Sequence, residues 1–338
     1  MILLNDLGRQ YRRIEGEISD AVKRVLARGQ YVMGPEVEEL EARLAEYAGV
    51  AYAVACSSGT DALTMALMAW GVGPGDAVFT PAFTFVAAAE AARLLGATPV
   101  FLDVDEDSFL MDADLLDEAA GKVARAGKLR PKAVIPADIF GALPDYGAIS
   151  EVAARHGLFV LEDAAQGFGG VYKGRKAGAL GAAGATSFFP AKPLGCFGDG
   201  GAVFTDDDAL ADVLRSIRVH GKGGHKYDNV RIGLNCRLDT LQAAEIPPND
   251  AREAAMRLKG IPNIPETVET PPGYDVGDRE TFYVSNVDTN ETREATLVLR
   301  YETDHAYIWV EEGISTDSSD VAALALEFEN KIYPTNRN

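Results

Sequence analysis

From Gly49 to Thr205 the chain alternates between short apolar runs and longer stretches with helical spacing. The apolar runs are AYAVAC, AVFT, TPVFLDV, KAVIPAD, GLFVLED, ATSFF and GAVFT, bounded by Gly, Pro and polar residues. Such brief runs, rich in β-branched and aromatic side chains, predict seven strands buried on both faces. Between them DALTMALMAWG, TFVAAAEAARLLG, ADLLDEAAGKVARAG and DYGAISEVAARHG place apolar residues every three or four positions, as crossover helices do. The pattern predicts an α/β fold with a mostly parallel seven-stranded sheet covered by helices. Upstream, EGEISDAVKRVLARG and GPEVEELEARLAEYAG read as two amphipathic helices, the second ended by Gly49.

The regime changes after LQAA, where the helical pattern meets Ile246-Pro247-Pro248. Proline lacks the amide donor and its ring crowds the preceding turn, so the helix is expected to stop or kink there. The segment up to Pro272 is Pro-rich, and ETFYVSNV, EATLVLRY and HAYIWVEE then read as strands before the helical VAALALEFENKIY. The expected organisation is a large domain over 1–245, a linker over 246–273 and a small α+β unit over 274–338.

Charge sharpens this division. The net charge of the 338 residues is −19, and −10 of it falls on residues 247–338. So acidic a chain is expected to bind neither nucleic acid nor an anionic membrane, which need a basic surface. No apolar run approaches the roughly 20 residues of a membrane span, and MILLNDLGRQYRR does not read as a secretory signal. Cys56, Cys196 and Cys236 are too few and too scattered for a disulfide framework. A cytoplasmic protein is expected.

Two residues then carry the chemistry. GLFVLEDAAQ delivers Asp163 at the carboxyl end of a strand, the edge at which open α/β sheets bind ligands. Lys192, in TSFFPAKPLG, follows the next long strand and falls in the same layer. An amine that forms an imine and a carboxylate that keeps a pyridine nitrogen protonated are what pyridoxal phosphate requires. Singly, each residue reads as a surface charge or a cap, and only the combination points to a cofactor. CSSGTDALTMALMA adds a strand, a small-residue turn and a helix start, where the amides of Ser58, Gly59 and Thr60 and the helix dipole favour a phosphate. The rival reading of that segment is a plain N-cap. Ser187 can add a hydroxyl to the same anion. Phe83 or Phe85 can stack on a ring or pack the core, and Gln166 can bond the ring hydroxyl or cap a following helix.

Other chemistries lack their residues. No GxxxxGK[ST], HExxH or GxSxG is present, and His156, His220, His225 and His305 lack metal-ligand spacing, so no metal site is expected.

Taken together, GQYVMGPEVEELEARLAEYAGV, SSGTDAL, GVGPGDAVFTPAFTFVA, EDAAQGFG, SFFPAKPLGCFGDGG, RVHG and GLNCRLDTLQAA resemble the DegT/DnrJ/StrS-type pyridoxal-phosphate-dependent nucleotide-sugar aminotransferases over residues 1 to about 245. The resemblance implies an aspartate-aminotransferase-like large domain, fold type I. It makes Lys192 the cofactor-bonded lysine, Asp163 the pyridine partner and Gln166 the neighbour of the ring oxygen. It sets Ser187, Gly59 and Thr60 at the phosphate and makes Phe85 the stacking aromatic. It also implies a homodimer in which Asn235 reaches the neighbouring subunit's cofactor and Arg237 its substrate. Lysine rather than histidine at position 192 implies a transaminating member, with glutamate as amino donor. SFFPAKPLGCFGDGG resembles enzymes that aminate a UDP-linked 3-keto uronic acid.

Beyond Glu245 the pattern departs from that family. Residues from about Tyr274 resemble an amino-terminal portion of large secreted metallopeptidase-like proteins without their zinc helix. A fused reading frame or a domain replacement accounts for both halves. The second reading of the sequence is therefore a cofactor-binding or chimeric protein impaired in catalysis, and a third is a family member with a sensory role.

Overall fold

The computed structural model describes residues 7–225, 227–245, 275–286, 291–302, 307–315 and 317–327. The chain divides into two compact units, one of Ile14–Pro248 and one of Met1–Arg13 with Asn249–Asn338. The expected linker over 246–273 lies wholly outside the described residues, as do the proline pair and the end of the tail.

Helix α1 (Leu7–Arg28), which belongs to the larger unit from Ile14 on, and α2 (Pro35–Ala48) precede the sheet. Helix α2 starts with Pro35 in its first turn, where a missing amide costs nothing, and ends at Gly49 with φ 74°. That left-handed residue lets its amide reach Ala45 O and Glu46 O. Val37, Leu40, Leu44 and Ala48 form the buried stripe that packs on β1.

The elements that follow are β1 (Tyr52–Cys56), α3 (Gly59–Ala69), β2 (Asp76–Pro81), α4 (Ala87–Leu94), β3 (Thr98–Leu102), α5 (Ala113–Ala126), β4 (Arg130–Val134), α6 (Tyr146–His156) and β5 (Phe159–Asp163). After a two-residue ribbon of β6 (Val171–Tyr172) and β7 (Arg175–Lys176) come β8 (Ala183–Ser187), β9 (Gly201–Thr205), α7 (Asp208–Ile217) and α8 (Thr240–Glu245). Seven strands form one sheet in the order β1-β9-β8-β5-β4-β2-β3. Strands β8, β5, β4, β2 and β3 are parallel neighbours, and β9 runs antiparallel to both β8 and β1.

These seven strands coincide with the seven apolar runs of the sequence. Strands β2 and β9 are buried at every position, which is why they read as continuous apolar runs. Helices α3, α4 and α7 supply the core on one face, while α5 and α6 supply it on the other. Helix α7 falls outside the expected helices, although Asp207 caps it by accepting from the Leu210 amide at 3.1 Å.

The smaller unit contains an antiparallel meander of β10 (Arg279–Asn286), β11 (Glu291–Glu302) and β12 (Tyr307–Glu311), with α9 (Ser318–Glu327) against β11 and β12. Val298, Leu299, Val321 and Ala325 are buried within it. These are the three strands and the helix start expected from the tail sequence.

Candidate active site

At the carboxyl edge of the parallel strands lies a cavity of about 440 Å³. Open sheets of this kind leave such a crevice where crossovers leave in opposite directions. Strand β2 lies between β3 and β4, so the crossovers diverge here.

Asp163 is the last residue of β5. Its amide donates to Pro136 O at 2.9 Å, and its carbonyl accepts from the Asp138 amide at 3.1 Å, so the end of β5 is tied to the segment that follows β4. Alternation along β5 buries Leu161 on one face of the sheet and Glu162 on the other, leaving Asp163 at the cavity. Burial raises the Asp163 carboxyl above its ordinary range; the Ala165 amide, at 3.2 Å, and the Lys192 charge act against that rise. Lys192 is half-buried and lines the same cavity. Its backbone amide donates to Phe189 O at 2.8 Å, closing the turn after β8 that brings the side chain back toward the strand ends. A Cβ on Gly195 would lie 2.6 Å from Pro190 O, so glycine is required for that turn to close.

The third wall is the head of α3. Ser58 is extended, at φ −165° and ψ 165°, and its Oγ accepts from the Asp61 amide at 3.0 Å. The N-cap reading of this segment therefore holds. It coexists with the anion reading, because capping uses the Ser58 side chain while Gly59 and Thr60 still head the helix, where amides have no intrahelical acceptor. Ser58, Gly59, Thr60 and Ser187 all line the cavity. A Cβ on Gly59 would meet the Cβ of Ser187 at 2.7 Å, and this close approach has a counterpart at Gly201, where a Cβ would lie 2.5 Å from Ser58 O. Gly201 opens β9, so this glycine of GCFGDGG is a contact residue of the sheet as well as the end of a turn.

Phe85 lines the cavity and is 69% exposed, so core packing does not explain it. Phe83 is exposed as well, and its ring packs on Phe109 and Phe140 at centroid distances of 5.2 and 6.0 Å. Gln166 lines the cavity from a turn. No helix follows it directly, so its capping alternative is set aside.

Asn235 and Arg237 are not among the residues lining the cavity. They flank the buried Cys236, and Arg237 Nε donates to Asn235 Oδ1 at 2.9 Å. Among the described residues, no group of three or more His, Cys, Asp or Glu is placed to hold a metal ion. Nor is any described helix long and apolar enough to cross a membrane.

The sequence reading passed over Asp138, which lines the cavity and is 1% exposed. The signal for it was the one used for Asp163, an acid at the end of an apolar strand, here KAVIPAD. Thr84, Ile139, Phe189 and Asp199 also line the cavity without having been expected.

The sequence profile of the DegT/DnrJ/EryC1/StrS aminotransferase family matches residues 12–246. The UDP-2-acetamido-2-deoxy-3-oxo-D-glucuronate aminotransferase of Pseudomonas aeruginosa is 49% identical over 262 residues, 77% of this chain and 71% of that protein. A DegT DnrJ EryC1 StrS aminotransferase from Brucella abortus superposes with a TM-score of 0.72 at 52% identity, over 77% of this chain and 68% of the other. NtdA from Bacillus subtilis, solved with bound cofactor PMP, superposes with a TM-score of 0.64 at 32% identity, over 72% of this chain and 54% of its own. The mostly parallel seven-stranded sheet is the fold type I aminotransferase architecture. With profile, sequence and fold in agreement over the larger unit, the chain belongs to the DegT/DnrJ/EryC1/StrS aminotransferase family.

Proposed function

We propose that this chain is a pyridoxal-phosphate-dependent aminotransferase that moves an amino group from glutamate to a keto group of a nucleotide-linked sugar. The observation that carries the reading is that an amine, Lys192, and a carboxylate, Asp163, face one cavity together with the head of α3. A UDP-linked 3-keto uronic acid is the first acceptor to test, given the Pseudomonas aeruginosa relative.

The residues fit the cofactor. At Gly59 a side chain would fill the space between the helix head and Ser187, the anion cradle. The donor set is complete in kind, with backbone amides for a phosphate, Phe85 for a ring face, Gln166 for a ring hydroxyl, Asp163 for a ring nitrogen and Lys192 for a covalent bond. When bound, pyridoxal phosphate supplies an electrophilic carbon and an electron-withdrawing ring.

The chain's own residues do the rest. Asp163, facing the Lys192 charge, holds a proton on the ring nitrogen through its carboxylate. Lys192 Nζ would anchor the cofactor and, when free, would take and return the proton at the reacting carbon. Asn235 and Arg237, outside the cavity of their own chain, are assigned to the cofactor and substrate of a partner subunit in a homodimer.

A second reading, cofactor binding without turnover, is favoured by one fact: the family match ends at residue 246, and the residues beyond Pro248 form another unit. Both readings are tested on the full chain given pyridoxal phosphate and reduced with borohydride. The cofactor is expected on the peptide containing Lys192, and equal trapping in Lys192→Ala sinks both. Amination of the keto sugar with glutamate selects the first reading, and trapping without turnover selects the second.

A further inference from the structure

Behind the cavity two buried carboxyl groups meet. Asp138 is 1% exposed and Glu162 is fully buried. Each oxygen of Glu162 accepts a backbone amide, Oε1 from Gly178 at 2.6 Å and Oε2 from Leu180 at 2.7 Å. Asp138 Oδ1 accepts from the Tyr146 hydroxyl at 2.7 Å. Asp138 Oδ2 is equally buried and finds no donor among the described residues. Ala137 pairs with Asp163 in a parallel bridge, which sets Asp138 and Glu162 on one face of adjacent chain segments, and each of the two buried acids acts on the other's proton. Two ionised carboxylates in contact and out of water repel, and burying a bare charge costs far more than burying a paired one. One proton placed between them turns the clash into a short, charge-assisted hydrogen bond.

We infer that Asp138 is a positioning residue of this site, carrying on Oδ2 a proton that it donates to Glu162, so that a neutral carboxyl lines the cavity and one negative charge remains behind it. The pair is crowded on every side that could relieve it otherwise. Tyr146 on α6 gives its proton to Oδ1, Asp163 adds a further negative charge from the same strand as Glu162, and Arg175 on β7 is the cation facing Glu162. Gly167 completes the seat, since a Cβ there would lie 2.4 Å from the Cβ of Asp138. Burial moves both acids up, Glu162 to about 7 and Asp138 well above the usual carboxylate range. The pair therefore keeps a proton to higher pH than two isolated carboxyls would. The consequence for function rests on the reading of Asp163 as the ring-nitrogen partner: with Asp138 neutral, fewer like charges push the Asp163 proton affinity up, and Asp163 stays ionised.

The test reads the proton directly. Infrared spectra of the full chain at about pH 8, with and without 13C-labelled aspartate, are expected to contain a protonated carboxyl stretch that shifts with the label and vanishes in Asp138→Asn. Absence of that band, or its survival in the variant, overturns the proposal. Pyridoxal phosphate titration supplies a second readout. Asp138→Asn keeps a neutral donor toward Glu162 and is expected to bind within about twofold of the parent, whereas Asp138→Leu, with no donor, binds about tenfold more weakly. Equal losses in the two variants overturn it as well. If the unaltered chain binds no pyridoxal phosphate, the cofactor reading fails, while the infrared band still decides the shared proton.

Discussion

A Cβ added at Gly59 would lie 2.7 Å from the Cβ of Ser187 and 3.3 Å from its Cα. The head of α3 and the end of β8 thus approach at backbone distance, 128 residues apart in sequence, and the crevice that both line depends on the missing side chain. No backbone strain is involved: the requirement is for space alone. Both elements leave the same edge of the sheet, and a helix start pressed against a strand end in this way leaves its amides open to the crevice.

Gly59→Ala is accordingly expected to weaken pyridoxal phosphate binding about tenfold or more by forcing these elements apart. Removing the opposing side chain makes room again. In spectroscopic titrations the double variant with Ser187→Gly should therefore bind better than the sum of the two single losses, as coupled neighbours do. Simple additivity would show that the two residues do not share the space.

Phe85→Ala separates a ligand-facing aromatic from a core one. At 69% exposure the ring contributes little to folding, so urea denaturation should shift by no more than about 0.5 kcal/mol. Cofactor affinity should fall roughly three- to tenfold, the worth of one ring stack. A large stability loss with unchanged affinity would return Phe85 to a packing role.

Arg218 and Glu41 form a nearly buried ion pair at 2.5 Å, their side chains 6% and 15% exposed. Glu41 accepts the Ala55 amide and Arg218 donates to the Ala55 carbonyl, so the pair holds β1 next to the turn that leads into α3. Glu41→Ala or Arg218→Ala strands the other charge and is expected to cost about 3–5 kcal/mol in urea unfolding. Replacing both, as Glu41→Leu with Arg218→Met, should cost less than the two single changes summed. A double variant as unstable as that sum would rule out coupling between them.

Glu162 makes stability depend on pH. Its carboxyl is raised from 4.5 to about 7 by burial, so below about pH 7 the folded state takes up a second proton, on Glu162 beside the one on Asp138, that the unfolded chain releases. The stability tied to that proton is complete below about pH 4.5 and is lost as the pH climbs through about 7. Glu162→Gln cannot titrate. Its urea midpoint is expected to fall less between about pH 5 and 8 than that of the parent, on top of a uniform cost of about 1 kcal/mol for the amide hydrogen bond it cannot accept. Parallel pH profiles for the two proteins would exclude Glu162 as the titrating group.

Much of the larger unit was legible beforehand because its strands are buried on both faces. GAVFT and AVFT admit no polar interruption, so their apolar runs stand out from the helical spacing around them. The same property hides direction: an inner strand is apolar whichever way it runs, and nothing in GAVFT announces that β9 is antiparallel. Likewise Asp138 and Asp163 end their apolar runs, KAVIPAD and GLFVLED, in the same way. Only their surroundings separate them, one closed in by Tyr146 and Glu162, the other open to Lys192. Asn235 and Arg237 illustrate the opposite limit, since their motif was readable while their distance from the cavity was not.

What the sequence determined by itself was local, namely which segments pleat, which coil, where Gly49 ends a helix and where Ser58 starts one. These follow from side-chain periodicity and backbone preference within a few residues. The tertiary structure alone decided the strand order, the meeting of Gly59 with Ser187, and the contact of Asp138 with Glu162. Those join residues from distant parts of the chain through packing and desolvation, and such energies exist only once the sheet has closed around them.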